Sequence, residues 1–290
     1  MSTIQIQDVS KHYGAVHALD NVSVTLEGER VYGLLGRNGA GKTTLINVIT
    51  NRVTADSGSV TIDGETVVEN DRVLSRVCCM AGKVAHPGEM EVAEGFRWSR
   101  EFYPGFETEY AKDLARRFRL PLDKRLRGLS TGYNSIFNFI VTLSSGAPIV
   151  FFDEPVLGVD ATHREMLYRE LLAHYSEHPR MVLVSTHLID EAASIFEEVI
   201  ILDEGKLILA EPVEPLLRRT YSVSGAGEAV DRYSSGKNVI REESLGRLKA
   251  ATIVQERSDE DNRMIRQLGL EMSAKRLQDV FVGLTNYEEE

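Results

Sequence analysis

A glycine-rich segment between an apolar run and an amphipathic stretch constrains the fold of this chain more than any other feature. Residues 36–43 read Gly-Arg-Asn-Gly-Ala-Gly-Lys-Thr, which matches the pattern G-x-x-x-x-G-K-[ST] in full. Residues 31–35 before it predict a short buried strand, and residues 42–52 after it predict a helix. Strand, glycine-rich turn and helix in this order predict a phosphate-binding loop in an α/β protein. The alternative is a glycine-rich turn that arose by chance.

Each residue type in this segment has a role in holding phosphate. Glycine lets the backbone curl so that successive N–H groups converge on one anion. Lys42 supplies a mobile positive charge for the outer phosphates, and the hydroxyl of Thr43 is a ligand for Mg²⁺. We therefore predict binding of a nucleoside triphosphate with Mg²⁺. The predicted contacts are Gly36, Arg37, Asn38, Gly39, Ala40, Gly41, Lys42, Thr43 and Thr44.

Length and charge limit the classes of protein that fit. The 290 residues have room for one large domain and a small one. No run reaches the roughly 18 apolar residues of a membrane helix, and the first residues lack the features of a signal peptide, so we expect a soluble protein. The net charge of −11 argues against a nucleic-acid partner.

The adjacent Cys78 and Cys79 suit neither a disulfide framework nor a zinc site. We expect both to be buried strand residues of a protein in the reducing cytosol.

Periodicity outlines the remaining architecture of the chain. Asp63-Gly64 lies between two β-prone runs and predicts a hairpin. Helical spacing follows over residues 91–103 and 108–120, and a third helix is predicted from Ser130. Continuous apolar runs then predict strands that are buried on both faces, and a parallel sheet flanked by helices. These runs are 149–153 and 181–185, with a helix predicted over 161–177 between them.

Two adjacent carboxylates end the first of these apolar runs. We expect Asp153 to face the ligand crevice and to hold Mg²⁺ together with Thr43. Strand alternation predicts that Glu154 points the other way, where it can orient or deprotonate the water that attacks the γ-phosphate. His187 follows the second run and can contact the γ-phosphate and sense hydrolysis. The alternatives are a strand that ends in solvated acids and a purely structural histidine.

Together these motifs resemble the nucleotide-binding subunit of an ATP-binding cassette (ABC) transporter. Residues 11–19 resemble the aromatic loop of that family, which implies that Tyr13 stacks on adenine and that Val16 also contacts the nucleotide, ATP. The segment Leu-Ser-Thr-Gly-Tyr ending at Tyr133 takes the place of the signature sequence. Val-Leu-Gly-Val-Asp, ending at Asp160, resembles the D-loop, and the segment that begins at Ser185 resembles the switch-histidine segment.

The resemblance covers about residues 4–210 and implies the ABC-type P-loop fold. That α/β fold has a mixed, mainly parallel core sheet flanked by helices, an antiparallel β subdomain and a helical subdomain. We assign residues 1–211 to the ATP-binding domain, with the helical subdomain at about 85–146. Residues 212–290 then form a small C-terminal α+β accessory region.

The resemblance also implies that the chain pairs with a second nucleotide-binding subunit, as a homodimer or a heterodimer. In this family the signature of one subunit, here Ser130, Thr131 and Gly132, caps the ATP held by the phosphate loop of the other, with Asp160 at the seam. A hydroxyl and N–H groups at a helix N-terminus suit that role. Taken alone, the segment also fits an ordinary helix start with Ser130 as N-cap. A separate transmembrane permease would hold the pair at the inner face of the membrane.

Two departures from the family pattern concern coupling and turnover. The usual signature is Leu-Ser-Gly-Gly-Gln, whereas Thr131 and Tyr133 replace the first glycine and the glutamine here. The family has the glutamine of its Q-loop directly after the strand that corresponds to residues 76–80, but residues 81–85 of this chain contain no glutamine. Lys83 lies there instead, and it either reaches a phosphate or is solvated.

The resemblance implies an ATPase that energises transport across a membrane. The variant signature and the amino-acid sequence of residues 152–160 resemble those of export-type subunits. One alternative is a non-transport ABC protein, which the acidic charge disfavours. Another is a regulatory subunit with impaired turnover. The intact Lys42, Asp153, Glu154 and His187 oppose this alternative, whereas Thr131 and the missing glutamine keep it open.

Overall fold

The computed structural model describes residues 2–80 and 86–285 of the chain, which form an α/β protein. The strands are β1 (Thr3–Tyr13), β2 (Val16–Glu27), β3 (Val31–Leu35), β4 (Ser57–Ile62), β5 (Glu65–Thr66), β6 (Val77–Met80), β7 (Ile149–Asp153), β8 (Met181–Thr186), β9 (Glu198–Asp203), β10 (Lys206–Pro212), β11 (Thr220–Ala226), β12 (Val239–Leu245), β13 (Leu248–Val254) and β14 (Glu271–Ala274). The α-helices are α1 (Lys42–Ile49), α2 (Asp71–Leu74), α3 (Val92–Phe102), α4 (Thr108–Arg117), α5 (Thr131–Leu143), α6 (Ala161–Glu177), α7 (Ile189–Ala192), α8 (Val213–Arg218), α9 (Gly227–Ser234), α10 (Asp259–Gln267) and α11 (Leu277–Leu284).

The central sheet gathers the chemically important loops at one edge. Its strand order is β10-β9-β3-β8-β7-β6, and β3, β8, β7 and β6 are parallel. Every residue of β3, β7 and β8 is buried, which explains their continuous apolar sequences. Because parallel strands end at the same edge, the loops after β3, β7 and β8 meet there. These loops carry the phosphate-loop motif, Glu154 and His187.

An antiparallel sheet of order β2-β1-β4-β5 carries the hairpin predicted at Asp63-Gly64. Both turn residues have positive φ, 52° at Asp63 and 80° at Gly64, as a two-residue hairpin turn requires.

Cys78 and Cys79 lie on β6 as predicted, and Cys78 is the more deeply buried. The mixed sheets flanked by helices match the predicted fold class.

The helices α3, α4 and α5 pack around aromatic residues, with the rings of Phe96 and Phe137 stacked 5.6 Å apart. The predicted helix 108–120 ends earlier, at Arg117, because Arg119 has a φ of 53°. The helix predicted from Ser130 begins at Thr131, with Ser130 as its N-cap.

The chain divides into two compact units. One consists of Met1–Phe196 and Ile200–Leu207, and the other of Glu197–Val199 and Ile208–Glu290. Within the second unit an antiparallel sheet of order β12-β13-β11-β14 packs on α9 and α10 through Tyr221, Val223, Val230, Tyr233, Ala251, Ile253 and Ile265. The division of domains after residue 211 stays a prediction.

One helix of the second unit starts later than its sequence suggests. Helical spacing favours a start at Ala274, but Ala274 pairs with Tyr221 at the end of β14, and α11 begins at Leu277. Among the described residues, the structure contains no helix with both the length and the apolar character needed to cross a membrane.

Candidate functional site

The phosphate loop is confined by backbone atoms on two sides. Gly41, the N-cap of α1, has a φ of 103°, and a Cβ built there would lie 2.4 Å from the carbonyl oxygen of Ala18. A Cβ on Gly36 would lie 2.7 Å from the carbonyl oxygen of Leu202. No other residue type fits either position without moving the backbone. The glycines therefore let the loop pass between β2 and β9 into the N-terminus of α1, which favours anion binding.

Lys42 extends over this loop from the first turn of α1. Only 5% of the residue is exposed, and its Nζ donates to the carbonyl oxygens of Gly36 at 2.7 Å and Arg37 at 3.1 Å. The same Nζ lies 3.5 Å from Oε1 of Glu154. The ammonium group is thus held between the loop and the end of β7, and its charged N–H groups are donors of the kind that bind phosphate oxygens strongly.

Asp153 is fixed by two hydroxyl groups at the end of β7. Its Oδ2 accepts from Oγ1 of Thr43 at 2.9 Å, and its Oδ1 accepts from Oγ of Ser185 at 2.5 Å. Residue 153 is 8% exposed, and the strand register places it beside Ser185. The hydroxyl oxygen of Thr43 and the carboxylate of Asp153 form a donor set that suits Mg²⁺, which prefers oxygen ligands.

Glu154 does not follow the alternation of β7, so the predicted opposite direction is wrong. The strand ends at Asp153, and Glu154 has a φ of 49°, a left-handed conformation that is uncommon for residues other than glycine. Its N–H donates to the carbonyl oxygen of Ser185 at 3.1 Å. Both carboxylates consequently line one cavity of about 650 Å³ together with Thr43. Strain of this kind is concentrated at functional sites.

His187 follows the end of β8 and contacts Glu154, one of the residues that line this cavity. Its Nδ1 lies 2.8 Å from Oε2 of Glu154, within hydrogen-bond distance. The side chain is 39% exposed, whereas that of Glu154 is 19% exposed. The sequence-predicted residues Lys42, Glu154 and His187 therefore form one contiguous chain of contacts.

The chain is similar to known ATP-binding proteins. Residues 19–157 match the family described as ABC transporter. The chain is 26% identical to the ABC transporter ATP-binding protein YtrB of Bacillus subtilis (strain 168) over 265 residues, which cover 90% of this chain and 89% of YtrB. Residues 19–157 therefore form an ABC transporter ATP-binding domain. This domain identifies the chain as an ATP-hydrolysing, ATP-binding subunit of a transporter, of the type that works as a dimer with transmembrane partners.

Two further similarities extend the comparison. The arabinose import ATP-binding protein AraG of Rhizobium etli is 29% identical over 258 residues, 85% of this chain and 50% of AraG. A solved dimeric structure of the ATP-binding cassette MJ0796, in a post-hydrolysis state with ADP and Pi, is 21% identical with a TM-score of 0.64. It covers 72% of this chain and 98% of the solved chain. That likeness shows the shared fold.

In this ABC ATPase, Tyr13 and Val16 form a cross-strand pair at the end of the β1–β2 hairpin. Tyr13 is 49% exposed and Val16 is 64% exposed. The hairpin approaches the phosphate loop two residues later, where the carbonyl of Ala18 confines Gly41. The exposed pair thus ends two residues before a segment of β2 that contacts the phosphate loop, and its contact with adenine stays a prediction.

The signature segment forms the N-terminus of α5. Oγ of Ser130 accepts a hydrogen bond from the N–H of Tyr133 at 3.3 Å, which is the N-cap that the sequence allows. This bond uses a lone pair, so the O–H remains able to donate to a phosphate. Thr131 occupies the first helical position, which does not require glycine.

The D-loop packs directly on the signature segment of the same chain. A Cβ built on Gly132 would lie 2.5 Å from the carbonyl oxygen of Gly158, and one on Gly158 would lie 2.9 Å from Cγ2 of Thr131. Asp160 caps α6 by accepting from the N–H of His163 at 3.1 Å. Hydrogen bonds from His163 hold the pKa of Asp160 below its usual value, so a carboxylate remains on the surface.

Sequence reasoning missed two residues that line or support this site. Ser185 hydrogen-bonds to both Asp153 and Glu154. The sequence could have indicated this residue, because its hydroxyl group lies on the predicted neighbouring strand, two residues before His187. His86 lines the cavity and lies 2.8 Å, through Nε2, from Oγ of Ser99; burial lowers its pKa. The predicted Q-loop position and Lys83 lie in residues 81–85, outside the described part of the chain.

Proposed function

We propose that this ABC ATPase energises transport by closing as a pair of chains around MgATP and reopening after hydrolysis. The observation that carries the proposal is the contact network of Thr43 with Asp153 and of Lys42 with Glu154 and His187. The network brings an ammonium group, a hydroxyl–carboxylate pair and a second carboxylate together around one loop, which supports these roles. Tyr13 and Val16 contact adenine, and residues 36–44 hold the phosphates.

Each group has a defined task in this proposal. Thr43 and Asp153 hold Mg²⁺, which neutralises phosphate charge when bound. Glu154 accepts the proton of the attacking water, and His187 holds its carboxylate through Nδ1. If His187 also contacts the γ-phosphate, Nε2 must carry a proton too, because phosphate oxygens accept and do not donate.

The exposed signature supports pairing between chains. Ser130, Thr131 and Asp160 are all exposed, although each lies beside buried, well-packed backbone. The ATP-binding cassette MJ0796, which shares this fold, is described as dimeric. We therefore assign Ser130, Thr131 and Gly132 to the ATP of the partner chain and Asp160 to the seam between chains.

Mixing two inactive variants tests this assignment. Lys42→Ala disables the phosphate loop, and Ser130→Asp keeps the helix cap but sets a carboxylate against the γ-phosphate. Each homodimer then lacks an intact site, whereas the mixed dimer regains one. We expect the mixture to recover ATPase activity that neither variant shows alone, in excess of the summed separate rates. A rate equal to that sum contradicts pairing between chains.

A groove beside α3 is the proposed docking surface for the permease, which would hold the ATPase at the inner face of the membrane. The groove encloses about 240 Å³ and is lined by Arg52, Cys79, Trp98, Phe102 and Tyr103 among others. Phe102 is 59% exposed, an apolar surface suited to a protein partner. Phe102→Ser should reduce co-purification with the permease, whereas Leu172→Ser, at another exposed apolar position, should not.

We propose export as the direction of transport, on the basis of the variant signature and the amino-acid sequence of residues 152–160. The relatives do not favour it, because AraG is named as an import protein. Transport measured in vesicles that contain the cognate permease, with ATP supplied on the side of this subunit, gives the direction: accumulation inside inverted vesicles supports export.

A further inference from the structure

Two histidines face each other across the β1–β2 hairpin, outside the proposed nucleotide contacts. His12 and His17 are a cross-strand pair, adjacent to the Tyr13–Val16 pair. Nε2 of His12 lies 3.1 Å from Nδ1 of His17, and the ring centroids are 4.3 Å apart with an interplanar angle of 79°. Because neighbouring strand residues alternate between faces, the histidines lie on the face opposite Tyr13 and Val16.

Asp56 fixes which nitrogen of His12 carries the proton. Its Oδ2 lies 3.1 Å from Nδ1 and accepts from the backbone N–H of His12 at 2.6 Å, while Oδ1 accepts from Nζ of Lys11 at 2.7 Å. Its oxygens accept from an ammonium group and from a backbone N–H, as those of a carboxylate do, and a carboxylate can only accept. Nδ1 of His12 must donate, and in the neutral ring Nε2 presents its lone pair towards His17.

We propose that His12 and His17 chelate a divalent transition-metal ion, specifically Zn²⁺, through Nε2 and Nδ1 respectively. Two nitrogen ligands of a tetrahedral zinc ion lie about 3.3 Å apart, close to the observed 3.1 Å. A carboxylate that accepts from the other ring nitrogen is the usual outer support of a metal-bound histidine. Because both oxygens of Asp56 already accept hydrogen bonds, water completes the coordination.

The nature of the ligands separates this site from that of Mg²⁺. Imidazole nitrogen suits zinc, copper and nickel, whereas Mg²⁺ requires oxygen ligands and retains its water. The ion bound at His12 and His17 would connect β1 to β2 one residue pair before the turn. That link would restrict the hairpin end that carries Tyr13 and Val16.

A second histidine cluster in the described residues lacks this chemistry. Ligand atoms of Glu107, His174 and His178 lie within 4.8 Å of one another. However, Nη2 of Arg180 lies 3.0 Å from Nδ1 of His174, and a guanidinium can only donate. Nδ1 therefore accepts, and Nε2 carries the proton and cannot bind a metal. Burial lowers the pKa of His174 to about 4, which keeps this ring neutral.

Titration calorimetry with ZnCl₂ on the full chain, without nucleotide and with Mg²⁺ present, tests the site. We expect one zinc ion per chain, and affinity reduced about tenfold or more in His12→Ala and in His17→Gln. Asp56→Asn should weaken binding by about 10- to 100-fold, because it removes the outer carboxylate. His178→Ala, from the cluster beside Arg180, is the matched control and should retain wild-type affinity.

The same variants define the opposite result. Retained affinity in both His12→Ala and His17→Gln, loss in His178→Ala, or absence of zinc binding to the wild-type chain overturns the proposal. Circular dichroism melts confirm that each variant is folded. Imidazole ¹⁵N spectra provide a direct second readout, because zinc should shift Nε2 of His12 and Nδ1 of His17 together. Shifts confined to other histidines also overturn it.

Discussion

The phosphate-loop side and the signature side of this ABC ATPase are built in opposite ways. On the phosphate-loop side, which comprises residues 36–43 with Asp153, Glu154 and His187, the chemical groups contact one another and Lys42 is 5% exposed. On the signature side, which comprises residues 130–132 and 156–160, backbone packs on backbone and the polar side chains face outwards. The side chain of Asp160 is 65% exposed.

This difference indicates what each side does by itself. Asp153 accepts from Thr43 and Ser185, and Glu154 lies between Lys42 and His187, all within one chain. We therefore expect this side to bind a nucleotide without help. Within the described residues, the side chains of Ser130 and Asp160 form hydrogen bonds only to the first turn of the helix that each of them caps. Their rigid, exposed arrangement suits contact with a ligand held by another molecule. The following substitutions separate the two sides.

Glu154→Gln should give the largest change in rate. Removal of a general base slows a reaction by about 10²- to 10⁴-fold, while the neutral amide leaves the phosphate contacts intact. We expect ATP binding to persist, hydrolysis to fall by at least about 100-fold, and an ATP-bound dimer to accumulate in size-exclusion chromatography. Glu165→Gln, on the exposed face of α6, is the control. Undiminished hydrolysis would remove Glu154 as the base.

Lys42→Ala should weaken ATP binding by about 2–3 kcal/mol, or about 30- to 150-fold, through loss of charge-assisted contacts to phosphate. Calorimetry with a slowly hydrolysed ATP analogue measures this change. Lys112→Ala, at a half-buried lysine on α4 that pairs with Glu109, should leave the affinity unchanged. Equal affinities of the wild type and Lys42→Ala would show that the phosphate-loop side does not depend on this cation.

Ser130→Asp should affect pairing and leave binding by the isolated chain intact. Aspartate replaces serine as N-cap without loss, but it repels the γ-phosphate of the partner's ATP, and such like-charge contacts cost a few kcal/mol. We expect ATP-dependent dimerisation to weaken by about 30-fold in sedimentation. Ser130→Asn, a neutral cap, should weaken it less. Reduced ATP affinity of the monomer would place Ser130 in its own chain's site.

Tyr13→Ala should have the smallest effect, about 1–2 kcal/mol of ATP binding, as expected for loss of one aromatic stacking contact. Tyr13→Phe keeps the ring and should keep the affinity. Comparison of ATP with GTP in the wild type adds a second readout, since stacking alone distinguishes the two bases weakly. Unchanged ATP affinity in Tyr13→Ala would leave Val16 as the remaining predicted contact of this hairpin.

The sequence predicted best those elements whose limits are marked by local chemistry. The helix 161–177 was found to the residue because Asp160 supplies its cap and polar residues follow it. The phosphate loop was predicted equally well, because the positions of Gly36 and Gly41 leave no room for a side chain and therefore require glycine. The apolar composition of β7 and β8 reflected their complete burial, and hence the parallel sheet.

Features that depend on contacts between distant segments could not be found in this way. The left-handed backbone of Glu154 follows from its hydrogen bond to Ser185, 31 residues away. The late start of α11 reflects the pairing of Ala274 with Tyr221. The His12–His17 contact depends on the register of a bulged hairpin, which the spacing of the two residues does not determine.

The glycine contact between Gly132 and Gly158 has a mechanical consequence. Because no side chain lies between these two backbones, there is no flexible group to absorb a small displacement of one of them. A push on the D-loop by a neighbouring chain must move the start of α5 by a similar amount. In the pair of chains proposed above, bulk added at either glycine would alter how the two ATP molecules influence each other, even where each is still bound normally.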